Sequence, residues 1–180
     1  MIVRIFAFAF LVSSAVTTVG QKLTTSNGFV SFYSHAVMED IRAEQDKGSA
    51  LLEPGSGDVA FMIPIKEFRF AKSLMQEHFN EKYMESDRYP KATFQGKIEG
   101  FDFNSSMDQE VTAKGKMTMH GVTQDVQISG KITRQGESVL MASTFVVKLE
   151  DYKIKIPQIV WQNIAEQVEV NIKFTLKSQN

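Results

Sequence analysis

Residues 168–177, VEVNIKFTLK, alternate between apolar and polar side chains without exception. The apolar set consists of Val168, Val170, Ile172, Phe174 and Leu176. Because successive side chains of a β-strand point to opposite faces, this pattern predicts a strand with one dry face and one wet face. Such a strand covers an apolar interior with one side and meets water with the other.

The same alternation recurs through much of the chain. It is found at residues 111–120, 126–132 and 139–149, and further strands are predicted at 29–34, 40–45, 49–53, 58–65 and 92–103. His120 to Thr123 lie between two of these segments and predict a tight hairpin, with Gly121 free to take positive φ. Many antiparallel strands joined by short turns favour a barrel or a sandwich. Strands longer than the usual five or six residues or so favour a tall antiparallel β-barrel, an all-β fold.

One short helix is predicted between the strands. Ser73 and Gln76 have the spacing of a capping box, in which each side chain bonds a free backbone N–H of the first turn. Met75, Phe79 and Tyr83 follow at helical spacing and form an apolar stripe. The helix is expected either to cross an opening of the barrel or to plug one end as an ordinary surface helix.

The apolar faces suggest a lumen. Gly96, Gly115 and Gly130 each interrupt such a face, and a missing side chain either widens an interior or allows the wall to coil sharply. Methionines in the same faces can adapt to a flexible ligand or fill gaps in a core. The predicted lumen lining is Phe79, Tyr83, Phe94, Gly96, Ile98, Gly115, Met117, Met119, Ile128, Gly130, Met141, Phe145, Ile172 and Phe174.

Polar residues near the helix are candidates for holding a head group. We predict that Arg69, His78 and Arg88 contact the polar end of a bound lipid at the rim. Sequence motifs for catalysis are absent: the three histidines lack a metal-binding spacing, and no nucleophile elbow, P-loop or dinucleotide fingerprint occurs. The sequence therefore predicts no enzyme activity, no metal site and no resident cofactor.

The first residues have the layout of an export signal. Arg4 is followed by an apolar run at residues 5–16, and small residues precede Gln21. We predict a signal peptide at residues 1–20, cleaved near Gly20, and a single periplasmic or secreted domain at residues 21–180. The apolar run is short for a stable membrane span.

Charge and cysteine content limit the classes of partner and of chemistry that the chain can have. Loss of Arg4 would leave 19 basic and 21 acidic residues, a balance that gives no reason to expect a nucleic acid partner. The chain has no cysteine, which excludes a disulfide framework, thiol catalysis and a lipidated N-terminal cysteine. The sequence leaves the oligomeric state open, a homodimer included.

Several segments resemble the YceI-like family of lipid- and polyisoprenoid-binding proteins. They are FYSH at residues 32–35, LMQEHFNEKYMESDRYPKATFQG at 74–96, GKMTMHGVT at 115–123 and DYKIKIP at 151–157. The resemblance implies a periplasmic, lipocalin-like barrel whose lumen takes an isoprenoid chain. Gln124 and Asp125 stand where Lys-Pro is common in the family, so no charge role carries over to that turn.

Three functions follow as hypotheses of different classes. The first is a non-enzymatic carrier of a long apolar lipid, such as a prenyl phosphate or a quinone. The second is an enzyme acting on a hydrophobic substrate, of the esterase or isomerase type, which would need histidine and carboxylates converging in a pocket. The third is a structural or interaction barrel whose interior is filled by its own side chains.

Overall fold

Nine strands and one α-helix make up the part of the chain described by a computed structural model, residues 22–36, 38–156 and 165–178. The strands are β1 (Leu23–His35), β2 (Asp40–Glu53), β3 (Asp58–Pro64), β4 (Arg69–Phe70), β5 (Lys91–Glu99), β6 (Gln109–Met119), β7 (Val122–Gln135), β8 (Ser138–Lys148) and β9 (Gln167–Ser178). The helix α1 spans Ser73–His78. The predicted signal peptide at residues 1–20 lies outside the described residues.

Eight of the strands close into an antiparallel barrel. Their order around the wall is β1-β9-β8-β7-β6-β5-β3-β2, and β2 pairs back with β1. The short β4 adds to the outer edge of β2 at Ala43 and Glu44. The predicted all-β, lipocalin-like barrel with one short helix is confirmed.

The two ends of the barrel differ. One end, called the mouth end below, carries the connection between β1 and β2, α1 and the β6–β7 turn. The opposite end, called the floor end, carries the turns at 54–57 and 136–137 and the loop at 100–108. The two predicted strands at 40–45 and 49–53 are one strand, β2, with a register shift against β1 opposite Gly28 and Val30.

The helix departs from its predicted start. Lys72 occupies the N-cap position and makes no side-chain cap, so the predicted capping box is wrong. Gln76 Oε1 instead accepts a hydrogen bond from the Phe70 N–H at 3.3 Å, which ties α1 to β4. The chain continues from α1 as a π-helical turn, Phe79–Tyr83, that keeps the apolar stripe on one side.

Close packing fills the floor end. Leu52, Val139, Phe174 and Leu176 are completely buried there. The ring of Phe174 lies on Gly28: a Cβ built at Gly28 would lie 1.9 Å from Phe174 Cε1. Gly48, which pairs with Gly28 across β1 and β2, would bring a Cβ within 2.8 Å of the same ring. Two facing glycines thus make the space in which one aromatic ring is buried.

The wall opens out towards the mouth end. β7 and β8 pair only from Lys131↔Ala142 to Gln135↔Ser138, and no ladder joins residues 122–130 of β7 to β8 within the described ranges. The 3₁₀ turn Glu150–Tyr152 fills part of the gap, where Gln124 Nε2 donates to the Asp151 carbonyl at 2.7 Å. Diverging strands enclose more space than fully paired ones, so this half of the barrel is roomier.

The predicted hairpin turn is confirmed and holds the mouth end together. His120 and Gly121 both have positive φ, 51° and 73°, the conformation of a two-residue type I′ turn. His120 Nδ1 donates to the Tyr152 carbonyl at 3.0 Å, and Nε2 lies 3.3 Å from Glu85 Oε1. The Tyr89 ring packs edge-on against His120 and occupies the position of a Gly121 side chain. These contacts join β6 and β7 to the segments that follow α1 and β8.

Candidate functional site: an apolar cavity with a narrow polar rim

A cavity of about 570 Å³ occupies the mouth half of the barrel. Its wall combines apolar side chains of all nine strands with residues of α1 and of the π-helical turn. Phe174, Ile132, Ile98 and Val111 lie at its inner end, next to the packed floor. Ligand pockets in proteins have comparable volumes and similarly apolar walls. The interior is therefore hollow at one end and solid at the other.

Most of the predicted lumen residues line this cavity. Twelve of the fourteen do so: Phe79, Tyr83, Phe94, Ile98, Met117, Met119, Ile128, Gly130, Met141, Phe145, Ile172 and Phe174. Those on strands lie on the inner face, as period-two alternation requires, while Phe79 and Tyr83 belong to the π-helical turn. Their role in binding a lipid stays a prediction.

Gly96 and Gly115 do not line the cavity. They pair directly across β5 and β6, and a Cβ on either would lie 2.2 Å from a carbonyl oxygen of the facing strand, Lys114 O or Gln95 O. The two backbones approach so closely that no side chain fits between them. These glycines therefore allow the wall to coil sharply and do not widen the lumen. This is the second of the two interpretations that the sequence allows.

The cavity reaches the surface between the β1–β2 turn and α1. Leu74, which lines the cavity, is 59% exposed, so the cavity wall continues to the outside there. Glu39 and Lys72 also line this opening and form an ion pair across it. The opening next to Glu39, Lys72, Leu74 and His78 is called the mouth below.

The three predicted head-group residues are placed differently. His78 lies at the mouth and lines the cavity. Arg69 does not line it, and its Nη1 lies 3.4 Å from Asp46 Oδ1. Arg88 does not line it either: its guanidinium stacks over the Tyr89 ring and lies 3.7 Å from Glu85. Only His78 of the three is close to where a ligand would enter.

Three phenylalanines that the predicted lining left out, Phe32, Phe68 and Phe70, form an aromatic cluster with Phe79 in the cavity wall. The ring centroids lie 5.0–5.8 Å apart, and Phe32 and Phe79 stack at 21°. Rings at such distances and angles attract one another beyond their burial. Phe79 thereby fixes the segment after α1 against β1 and β4, and the cluster keeps the wall from collapsing inward.

Polar groups inside the cavity are few. Burial raises the pKa of the Tyr83 hydroxyl, which lines the cavity and stays neutral near pH 7. Among the described residues, Glu39 is the only carboxylate of the cavity lining, and Lys72 neutralises it. Of the three histidines, His35 pairs with the exposed Asp40 and His120 is held by Tyr152 and Glu85, so neither joins His78. Within the same ranges, His78 makes no hydrogen bond or ion pair with Glu39 or another carboxylate, the contact that the enzyme hypothesis requires.

Comparison with known families decides what kind of protein this is. The family model of the YceI-like domain matches residues 14–176. The chain belongs to the YceI-like family. The resemblance seen in the sequence is thereby confirmed. A search of curated proteins finds no match.

Solved structures share the fold at low sequence identity. A polyisoprenoid-binding domain from Saccharophagus degradans superposes with a TM-score of 0.74 at 14% identity, over 90% of this chain and 100% of that one. Burkholderia cenocepacia BcnA gives 0.66 at 19% identity, over 84% and 96%. The Campylobacter jejuni YceI protein gives 0.65 at 17% identity, over 81% and 90%. At these identities, the superpositions show that this chain and the three proteins share one fold.

The described residues contain no helix long and apolar enough to cross a bilayer.

Proposed function

We propose that this YceI-like protein is an exported, non-enzymatic carrier that holds a long apolar lipid of the polyisoprenoid class in its cavity. The observation that carries the proposal is the cavity itself: about 570 Å³ of apolar space that runs from a packed floor to a mouth at the surface. Export is proposed from the signal-like residues 1–20. The relative from S. degradans, described as polyisoprenoid-binding, supports the same ligand class.

The physical basis of binding is burial of hydrocarbon. Each methylene removed from water contributes about 0.8 kcal/mol, so a few isoprene units suffice for micromolar affinity or tighter without directional contacts. The flexible side chains of Met117, Met119 and Met141 can follow the branched outline of such a chain. A site of this kind needs an apolar wall and an opening, and it needs no catalytic group.

The polar end of the ligand is proposed to stay at the mouth. His78 and Lys72 offer hydrogen-bond donors there, and the Tyr83 hydroxyl adds one further inside. Arg69 and Arg88 are placed away from the cavity and bound to Asp46 and Glu85, so they are not part of this proposal. An alcohol, a phosphate or a quinone oxygen could each accept these hydrogen bonds.

Calorimetric titration with geraniol, farnesol and geranylgeraniol tests the proposal. These prenols share a head group and lengthen by one isoprene unit at a time, so we expect affinity to rise about tenfold or more at each step until the cavity is full. Burial of apolar surface predicts a negative heat-capacity change for each ligand. Absence of binding by all three prenols, or affinity independent of chain length, would contradict the proposal.

A further inference from the structure

Two strongly exposed apolar side chains flank the mouth. Met38, in the β1–β2 turn, is 69% exposed, and Leu74, in the first turn of α1, is 59% exposed. Met38 directly precedes Glu39, and Leu74 lies two residues after Lys72, the ion-pair partner of Glu39 across the mouth. The two residues therefore belong to the two segments that this ion pair joins at the mouth. They are called the rim pair below.

The charges near the rim pair give no surplus of positive charge. Glu39 pairs with Lys72, and His35 lies 2.6 Å from Asp40 at the end of the same hairpin. Glu77, three residues after Leu74 on α1, makes no ion pair among the described residues. The whole chain carries a formal charge of −1, so no field of one sign draws the mouth to an anionic surface. An exposed apolar rim without surplus positive charge fits a partner that is itself apolar below a neutral surface.

We propose that the mouth end docks on a neutral lipid bilayer, with Met38 and Leu74 inserted into the interface. The inference rests on the proposed function, because a long prenyl lipid resides in a bilayer and its transfer through open water would expose its entire chain. Apolar side chains seated at the boundary of head groups and acyl chains are a known mode of interfacial binding. With the rim pair inserted, the cavity opens directly towards the acyl chains, and the lipid passes without crossing water.

The test compares the unchanged protein with two variants of the same length and N-terminus. The first is the double variant Met38→Glu with Leu74→Glu. The matched control is Met107→Glu, which changes a side chain that is 74% exposed in the loop at the floor end. The rate of transfer of a fluorescent prenol from phosphatidylcholine vesicles to each protein is measured at several salt concentrations. Farnesol affinity in solution is measured in parallel, since this ligand reaches the cavity without a bilayer.

We expect the double variant to take up prenol from vesicles about tenfold more slowly or worse, because charged side chains resist insertion. Met107→Glu is expected to match the unchanged protein in transfer rate and in farnesol affinity. Because Leu74 lines the cavity, the transfer rate of the double variant is compared with its own farnesol affinity, and transfer is expected to fall about tenfold more than that affinity. Equal transfer rates for the double variant and the unchanged protein would overturn the docking proposal, as would equal slowing by Met107→Glu. Transfer that requires anionic lipid and is abolished by salt would also overturn it. Failure of the unchanged protein to bind farnesol would instead contradict the proposed function. The docking proposal, which depends on that function, would then fail with it.

Discussion

Replacement of Ala113 by tryptophan is expected to lower the affinity for geranylgeraniol about a hundredfold while the barrel stays folded. Ala113 lines the cavity from β6, where it pairs with Ile98 on β5 and Ile128 on β7. An indole at this position would occupy space that the prenyl chain needs. Because the added ring enters an existing apolar cavity, the protein is expected to keep or gain thermal stability, in contrast to overpacking of a filled core.

Lys114→Trp is the matched control for that variant. Lys114 is the next residue on the same strand, points outward and pairs with Glu99 at 2.7 Å. The same side chain is thus introduced one residue away on the other face of the wall. Calorimetry with geranylgeraniol should find near-normal affinity for Lys114→Trp. Unchanged affinity in Ala113→Trp, with a normal melting temperature, would place the ligand outside the cavity.

Gly28→Ala is expected to destabilise the protein by about 3 kcal/mol, a large loss for a single methyl group. The new Cβ would lie 1.9 Å from the Phe174 ring, which is completely buried and cannot swing into solvent. The ring also contacts Phe61, at 4.9 Å between centroids, so its displacement would disturb the inner end of the cavity. Urea unfolding followed by circular dichroism measures the change in free energy of unfolding.

A double-mutant cycle separates this clash from a general effect of glycine replacement. Phe174→Leu removes Cε1 and Cζ, two of the three ring atoms that would collide, so Gly28→Ala should cost about 1–2 kcal/mol less in that background than in the unchanged chain. Gly55→Ala serves as the control, since its Cβ would meet nothing within 4 Å, and its effect should stay within about 0.5 kcal/mol. Additive effects of Gly28→Ala and Phe174→Leu would show that the ring and the glycine are not coupled.

Strand positions and the inner face of the wall were predictable from the sequence because alternation is local. The apolar residues of 168–177 indicate their common face without knowledge of any neighbour, and the same holds for Met117 and Met119 on β6. Which side chains of these strands are buried follows directly from this periodicity. For the same reason, most of the predicted lumen lining is found in the cavity wall.

Features that depend on two distant segments were not predictable. The mouth is made by Glu39 and Lys72, which are separated by 33 residues and meet only when the β1–β2 hairpin faces α1. Whether an inward glycine borders the cavity depends on the strand opposite it. Gly96 lies against β6 and away from the cavity, whereas Gly130 borders the cavity although a Cβ there would lie 2.8 Å from the Ala142 carbonyl oxygen of β8. Phe68 directly follows the 3₁₀ turn Ile65–Glu67, and Phe70 lies in a two-residue strand, so no alternation marks their inner face.

Native mass spectrometry of the protein recovered from cells, followed by organic extraction, tests most directly whether the cavity holds a polyisoprenoid. We expect a discrete added mass that is lost on extraction, with an isoprenoid of the same mass in the organic phase. In Ala113→Trp the added mass should be absent or much reduced, while Lys114→Trp should retain it. Recovery of empty protein, even after incubation with prenyl lipids, would contradict the account.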